Sequence, residues 1–311
     1  MFGELRYQSV WLNLGLAATA AEARRMRHAV LFAGRILLAL GFISSSLLDA
    51  QELNASSVGP TIPFELRSDF LVVVTGQVGD LHGLKFILDT GASYTLIDQK
   101  IADRLKLRRR PGKITNFNRD VPVELAEIPN LRVGPLQTGA HPVLVAKLSD
   151  YSEFAENVDG IIGLDLLGRS KKLFIDYEKL TVSWELFESG VAALPTATYF
   201  TVPFVVQGFP MHLVVDTGFQ GILLYKDRLR KGLPDARTEG KAIEGGMGRL
   251  QTTQVKLPGV RLFGPETVAT VFLTDGPASG QLPGIDGYLG VASLQAKRVE
   301  FDFAARILRW R

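Results

Sequence analysis

The sequence predicts an all-β chain of two β-barrel lobes related by a pseudo-two-fold axis, and three observations carry that expectation. An apolar run ending in Asp-Thr-Gly occurs twice, as Phe86-Ile-Leu-Asp-Thr-Gly91 and as Leu213-Val-Val-Asp-Thr-Gly218. Each copy is followed at one fixed distance by a second motif. Asp159-Gly-Ile-Ile-Gly163 begins at the same offset from Asp89 (159 − 89) as Asp286-Gly-Tyr-Leu-Gly290 does from Asp216 (286 − 216). Between these landmarks the chain runs as short apolar segments punctuated by Gly and Pro, a pattern of strands and turns rather than of alternating helices and strands.

The period of the duplication is the separation of the two aspartates (216 − 89). Weaker echoes agree with it: Ile128-Pro-Asn-Leu-Arg-Val-Gly-Pro135 is answered by Leu257-Pro-Gly-Val-Arg-Leu-Phe-Gly-Pro265, and Asp176 and Asp302 each precede a tryptophan by the same short step (184 − 176, 310 − 302). So long a period is not that of a solenoid, and each copy is expected to form a lobe with its own core. The chain divides accordingly into an N-terminal extension over 1–50, a first lobe over 51–190 and a second lobe over 191–311.

In chain order, the extension reads as a leader rather than as fold. Met26-Arg-His gives a basic start, Ile36-Leu-Leu-Ala-Leu-Gly-Phe-Ile43 an apolar centre, and Ser44 to Ala50 a small-residue exit. Arg35 interrupts the stretch, and the apolar run is too short to span a bilayer, which favours a cleaved signal over a permanent anchor. A secreted or periplasmic location follows, with membrane attachment only through an uncleaved segment. Asn54-Ala-Ser56 matches a glycosylation acceptor. From Phe70 the pattern becomes β, with Leu71 to Val74, a turn over Gly76 to Gly83, and Leu84 to Leu88 leading into the first Asp-Thr-Gly. The second copy repeats this hairpin as Phe200 to Val206, a turn at Gly208 to Pro210, and Met211 to Val215. After each motif comes a strand, Tyr94 to Ile97 or Gly221 to Tyr225, and then a short helix-like stretch, which in the first copy is Lys100 to Leu107. Arg108 to Arg110 reads as its solvated end, since cations favour helix C-termini. Glu185 to Thr198 is the connector between copies, and Gly245-Gly-Met-Gly248 is a hairpin tip.

Composition removes several function classes. The formal charge of +3 falls to +1 outside residues 1–50, where five Arg face three acidic residues, so no nucleic-acid partner is expected. The chain has no cysteine, which excludes disulfides, thiolate metal sites and cysteine catalysis. His28, His82, His141 and His212 are scattered without ligand spacing, so no metal and no cofactor are expected. A G-x-S-x-G elbow, a P-loop and a dinucleotide fingerprint are all missing from the sequence.

The two aspartates remain. Equivalent turns of two lobes meet at a pseudo-two-fold axis, which would bring Asp89 and Asp216 together. Carboxylates that close share one proton and offer an acid and a base at once, enough to activate a water against an amide carbonyl and to protonate the departing nitrogen. The paired motifs over roughly residues 62–311 resemble the pepsin-like and retropepsin-like aspartic proteases, and look most like the bacterial type with two tandem retropepsin-like repeats. That resemblance implies the bilobal pepsin-like fold and an aspartic endopeptidase active as a monomer on peptide or protein substrates. It implies catalytic roles for Asp89 and Asp216. Thr90 and Thr217 would tie the two turns together by buried hydrogen bonds, Gly91 and Gly218 would leave room for substrate and water, and Ile161-Ile-Gly163 and Tyr288-Leu-Gly290 would pack beneath the turns. Pepsins carry a hydroxyl residue after Asp-Thr-Gly, where this chain has Ala92 and Phe219. The hairpins around Thr115 to Val123 and Gly245 to Leu250 hold no tyrosine to close over a substrate. The rival expectation is a non-catalytic protein that keeps the cleft to bind peptide or glycan.

Overall fold

The computed structural model describes residues 3–6, 59–150, 156–187, 199–229, 239–245, 248–277, 282 and 284–311. The expected leader over Met26 to Ala50, the expected acceptor at Asn54, most of the expected connector and the middle of Gly245 to Gly248 lie outside them. The described chain is almost entirely β. Strands form where Val, Ile, Leu and Phe concentrate, and the buried ones carry apolar residues on both faces. Along Leu71–Val78 and Leu81–Leu88, the side chains of Val72, Val74, Phe86 and Leu88 enter one core while Leu71, Val73 and Ile87 enter another, as the two-residue repeat of a strand requires.

The duplication is visible as topology. The 10-stranded sheet of the first half contains, in order, Leu71–Val78, Leu81–Leu88, Gly160–Ile162, Leu96–Asp98, His141–Ala146, Arg119–Ile128 and Arg110–Asn116. The 7-stranded sheet of the second half runs Thr201–Val206, Phe209–Asp216, Gly287–Gly290, Ile222–Tyr225, Thr267–Thr274, Gly248–Arg261 and Glu239–Gly245, the same order strand for strand. Thr201–Val206 also pairs with Gly248–Arg261, which curls that sheet toward a barrel. The halves share a third, 6-stranded sheet, at whose centre Ser170–Asp176 pairs antiparallel with Arg298–Asp302. Leu173 faces Phe301 there and Phe174 faces Glu300, a register symmetric under the repeat.

Some elements differ from what the sequence suggests. The first hairpin turns tightly at Gly79-Asp80, and Gly76 lies inside the strand, where a Cβ would stand 2.7 Å from the Arg132 carbonyl oxygen of the neighbouring strand. The strand after the first motif is Leu96–Asp98, and the helix is Gln99–Arg104. Asp98 caps that helix by accepting from the Lys100 amide (2.9 Å), which moves the start forward. The Arg108 to Arg110 run is more than a solvated end: Arg109 joins Asp103 of the helix (2.7 Å) to Glu124 of the following hairpin (3.0 Å), and Arg110 opens that hairpin. Gly3–Arg6 pairs with Ile307–Trp310 at the edge of the 6-stranded sheet, a strand that cleavage of the expected leader would remove.

Candidate active site

Each aspartate stands at the end of a strand held on both sides. In the first half, Phe86 to Leu88 pairs parallel with Gly160–Ile162, and the Asp89 amide donates to the Ile162 carbonyl (3.0 Å). In the second, Leu213 to Asp216 pairs parallel with Gly287–Gly290. The leading aspartates of the downstream motifs act behind them. Asp159 Oδ2 accepts from the Lys85 amide (2.8 Å) and Asp286 Oδ2 from the His212 amide (2.8 Å), each fixing the strand at the same step before the candidate carboxylate (89 − 85, 216 − 212). This explains why the two motifs keep a common spacing in both halves.

The two turns are sewn together by the threonines. The Thr90 amide donates to Thr217 Oγ1 (3.0 Å) and the Thr217 amide to Thr90 Oγ1 (3.1 Å), while each hydroxyl donates across the interface, Thr90 to the Val215 carbonyl (2.8 Å) and Thr217 to that of Leu88 (2.7 Å). Gly91 faces the Asp216 carboxylate, and Gly218 faces that of Asp89. A Cβ on Gly218 would stand 2.5 Å from Asp89 Oδ2, and one on Gly91 would collide with Asp216, so only glycine lets the carboxylates approach.

Asp89 and Asp216 are 5% and 4% exposed, and their carboxyl groups are hydrogen-bonded to each other. Burial raises both above the ordinary carboxylate range, because a charge loses its hydration there. They are not equivalent. Asp89 Oδ1 accepts from the amides of Gly91 (2.8 Å) and Ala92 (3.0 Å), donors that favour its ionised form, whereas Asp216 Oδ1 accepts from Gly218 alone (2.7 Å) and also feels the charge of Asp89. The arrangement favours an ionised Asp89 beside an Asp216 that holds the shared proton.

A cavity of about 330 Å³ opens at the pair, lined in part by Lys113 to Phe117 of the first-half hairpin. On one side its wall is apolar, with Ala92, Leu96, Ile114, Leu144 and Ile161. Tyr199 lines it as well, its hydroxyl 2.5 Å from Ser93 Oγ of the opposite half, and burial raises that phenol above its ordinary range. Beneath the wall, Asp165 takes hydrogen bonds from Thr95 Oγ1 (2.7 Å) and from His141 Nε2 (2.8 Å), and Arg169 donates to His141 Nδ1 (3.0 Å). This network fixes the loop after Ala92 to the Leu164–Leu167 helix. One period on, the second half has Ile222 and Ala292 where Thr95 and Asp165 stand (222 − 95, 292 − 165). Tyr199, His141 and Phe117 are not marked by any motif; Tyr199 and Phe117 are held at the site by residues far away in sequence, among them Ser93 and Tyr225. Among the described residues no three His, Asp or Glu side chains gather where they could hold a metal.

Residues 74–166 match the family model described as Aspartyl protease. No curated protein matches the chain. Among solved structures, an aspartic proteinase from Irpex lacteus is similar at 14% identity and a TM-score of 0.44, over 81% of this chain and 96% of that one. A retropepsin-like aspartic protease from Rickettsia conorii is similar at 21% identity and a TM-score of 0.32, over 42% of this chain and 92% of its own.

Proposed function

We propose that this chain is an aspartic endopeptidase in which Asp89 and Asp216 hydrolyse a peptide bond with one activated water. The observation that carries the proposal is the pair itself: two buried carboxyl groups, hydrogen-bonded to each other and unequally supplied with amide donors, at the floor of an open cavity. Burying two acids against each other is unfavourable for folding, and such a pair has chemical use only where a proton must move. Sharing one proton is the established behaviour of aspartic protease dyads. Ionised Asp89 takes a proton from the water as its oxygen attacks the carbonyl carbon, and Asp216 gives its proton to the carbonyl oxygen. Collapse of the tetrahedral intermediate breaks the C–N bond as Asp89 passes the acquired proton to the leaving nitrogen and Asp216 takes a proton back from one of the two hydroxyls, which leaves a carboxylic acid, an amine and the starting protonation of the pair. Thr90, Thr217, Gly91 and Gly218 hold the geometry. No cofactor enters.

The test is digestion of casein and of a mixed peptide library, read by mass spectrometry. The wild type cleaves, and Asp89→Asn, with its fold intact by circular dichroism, does not. Survival of every substrate with the wild type would instead favour a binding protein that keeps the cleft. Both halves lie in one chain, so the enzyme acts as a monomer and its specific activity stays constant on dilution. We also propose export to the periplasm or outside the cell. The mature protein should then begin near Gln51 in N-terminal sequencing; an intact Met1 or Met26 terminus in a membrane fraction contradicts cleavage and indicates an anchored form.

A further inference from the structure

The two halves place equivalent apolar clusters beneath the two sides of the cleft. In the first half these include Ala92, Leu96 and Ile161; one period on stand Phe219, Leu223 and Tyr288 (219 − 92, 223 − 96, 288 − 161). Both clusters border the cavity, the first through all of Ala92, Leu96 and Ile161, the second through Tyr288 but neither Phe219 nor Leu223. Phe219 takes the place of an alanine, and its ring lies 5.8 Å from that of Phe117, which comes from the tip of the first-half hairpin and stands edge-on to Tyr288 at 5.2 Å.

The tip is fastened there by polar contacts as well. The Tyr225 hydroxyl, itself hydrogen-bonded to Tyr288, donates to the Phe117 carbonyl (2.9 Å). Asn118 Nδ2 donates to Thr274 Oγ1 (3.1 Å) and to the Asp275 carbonyl (3.0 Å). Phe117 holds this position with a left-handed backbone, φ 52°, which glycine or asparagine adopts more readily. A bulky ring at a position that disfavours it points to a use for the ring.

We infer that the cleft is specific on one side only: a large apolar residue is accepted beside the bond to be cut on the first-half wall of Ala92, Leu96, Ile114, Leu144 and Ile161, while Phe117 and Phe219 occupy the equivalent place beside Asp216 and restrict the other side of that bond to small residues. The inference rests on the proposed peptidase activity. It gives Phe219, an oddity beside Asp-Thr-Gly, a selective role, and makes Phe117 a specificity-determining residue supplied by the opposite half.

The experiment profiles a peptide library with the wild type, Phe117→Ala and Phe219→Ala, with Asp89→Asn as the blank. For the wild type, large apolar residues are enriched on one side of the cut and Gly, Ala or Ser on the other. In either alanine variant, kcat/KM for a peptide with Phe on the restricted side, relative to its Ala counterpart, rises roughly tenfold or more, the scale on which pocket volume discriminates. Large residues on both sides with the wild type, or a profile unchanged in both variants, overturns it while leaving the peptidase intact. Absence of any Asp89-dependent cleavage in all three overturns the peptidase proposal and this inference together.

Discussion

At the residue scale, the proposed chemistry depends on how unequally two identical side chains are treated. Asp89 receives two amide donors and Asp216 one, so the charge settles on Asp89 and the proton on Asp216. Both pKa values lie above the ordinary range because of burial, and neither Ala92 nor Phe219 offers a hydroxyl to oppose that shift. Activity requires one ionised carboxylate, so the acid limb of the pH profile follows the first deprotonation of the pair. A raised pKa moves that limb to higher pH, and kcat/KM should peak at mildly acidic to near-neutral pH. Ala92→Ser adds a donor next to Asp89, stabilises its ionised form and should move the acid limb to lower pH. A profile of both proteins checks this; an optimum in strong acid for the wild type, or an unmoved limb in the serine variant, counts against it.

At the element scale, the site is a junction of two strand ends, and its stability is concentrated in the threonine bonds between them. Thr217→Val keeps the shape but removes the donor to the Leu88 carbonyl and the acceptor for the Thr90 amide, both buried. Leaving two such groups unpaired should cost roughly 2–4 kcal/mol in denaturant unfolding. This junction was implied by the family resemblance that the paired motifs carry, and its partners, Thr90 and Thr217, occupy the same rank in each repeat. The hairpin tip was not. Phe117 belongs to no motif, and its partners Phe219, Tyr225 and Tyr288 come from three strands or turns of the other half, so only the folded chain shows that they meet. The same is true of His141, which looks like an isolated histidine until the strand pairing sets it against Asp165 and Arg169. Element boundaries shifted where a side chain outside the periodic pattern decided them, as when Asp98 capped the helix early.

At the scale of the whole molecule, duplication accounts for the site. Seven strands in the same order form the body of each half, the central Ser170–Asp176 and Arg298–Asp302 pair sets the symmetry, and equivalent turns meet on it. Symmetry brings two carboxyl groups together, and the departures from symmetry differentiate them. Ala92 against Phe219 shapes the two walls, Thr95 and Asp165 against Ile222 and Ala292 stiffen one loop, and a hairpin from the first half covers the second. The central claim is that Asp89 and Asp216 work as one unit. The direct measurement is kcat/KM on a single cleaved peptide for Asp89→Asn, Asp216→Asn and the double variant. Residues that act as a unit lose their function together, so each single substitution should reduce kcat/KM by roughly a thousandfold or more, and the double variant should be no worse than either. A single variant that keeps more than about a tenth of the activity, or a double variant whose loss multiplies those of the singles, would contradict the shared-proton site.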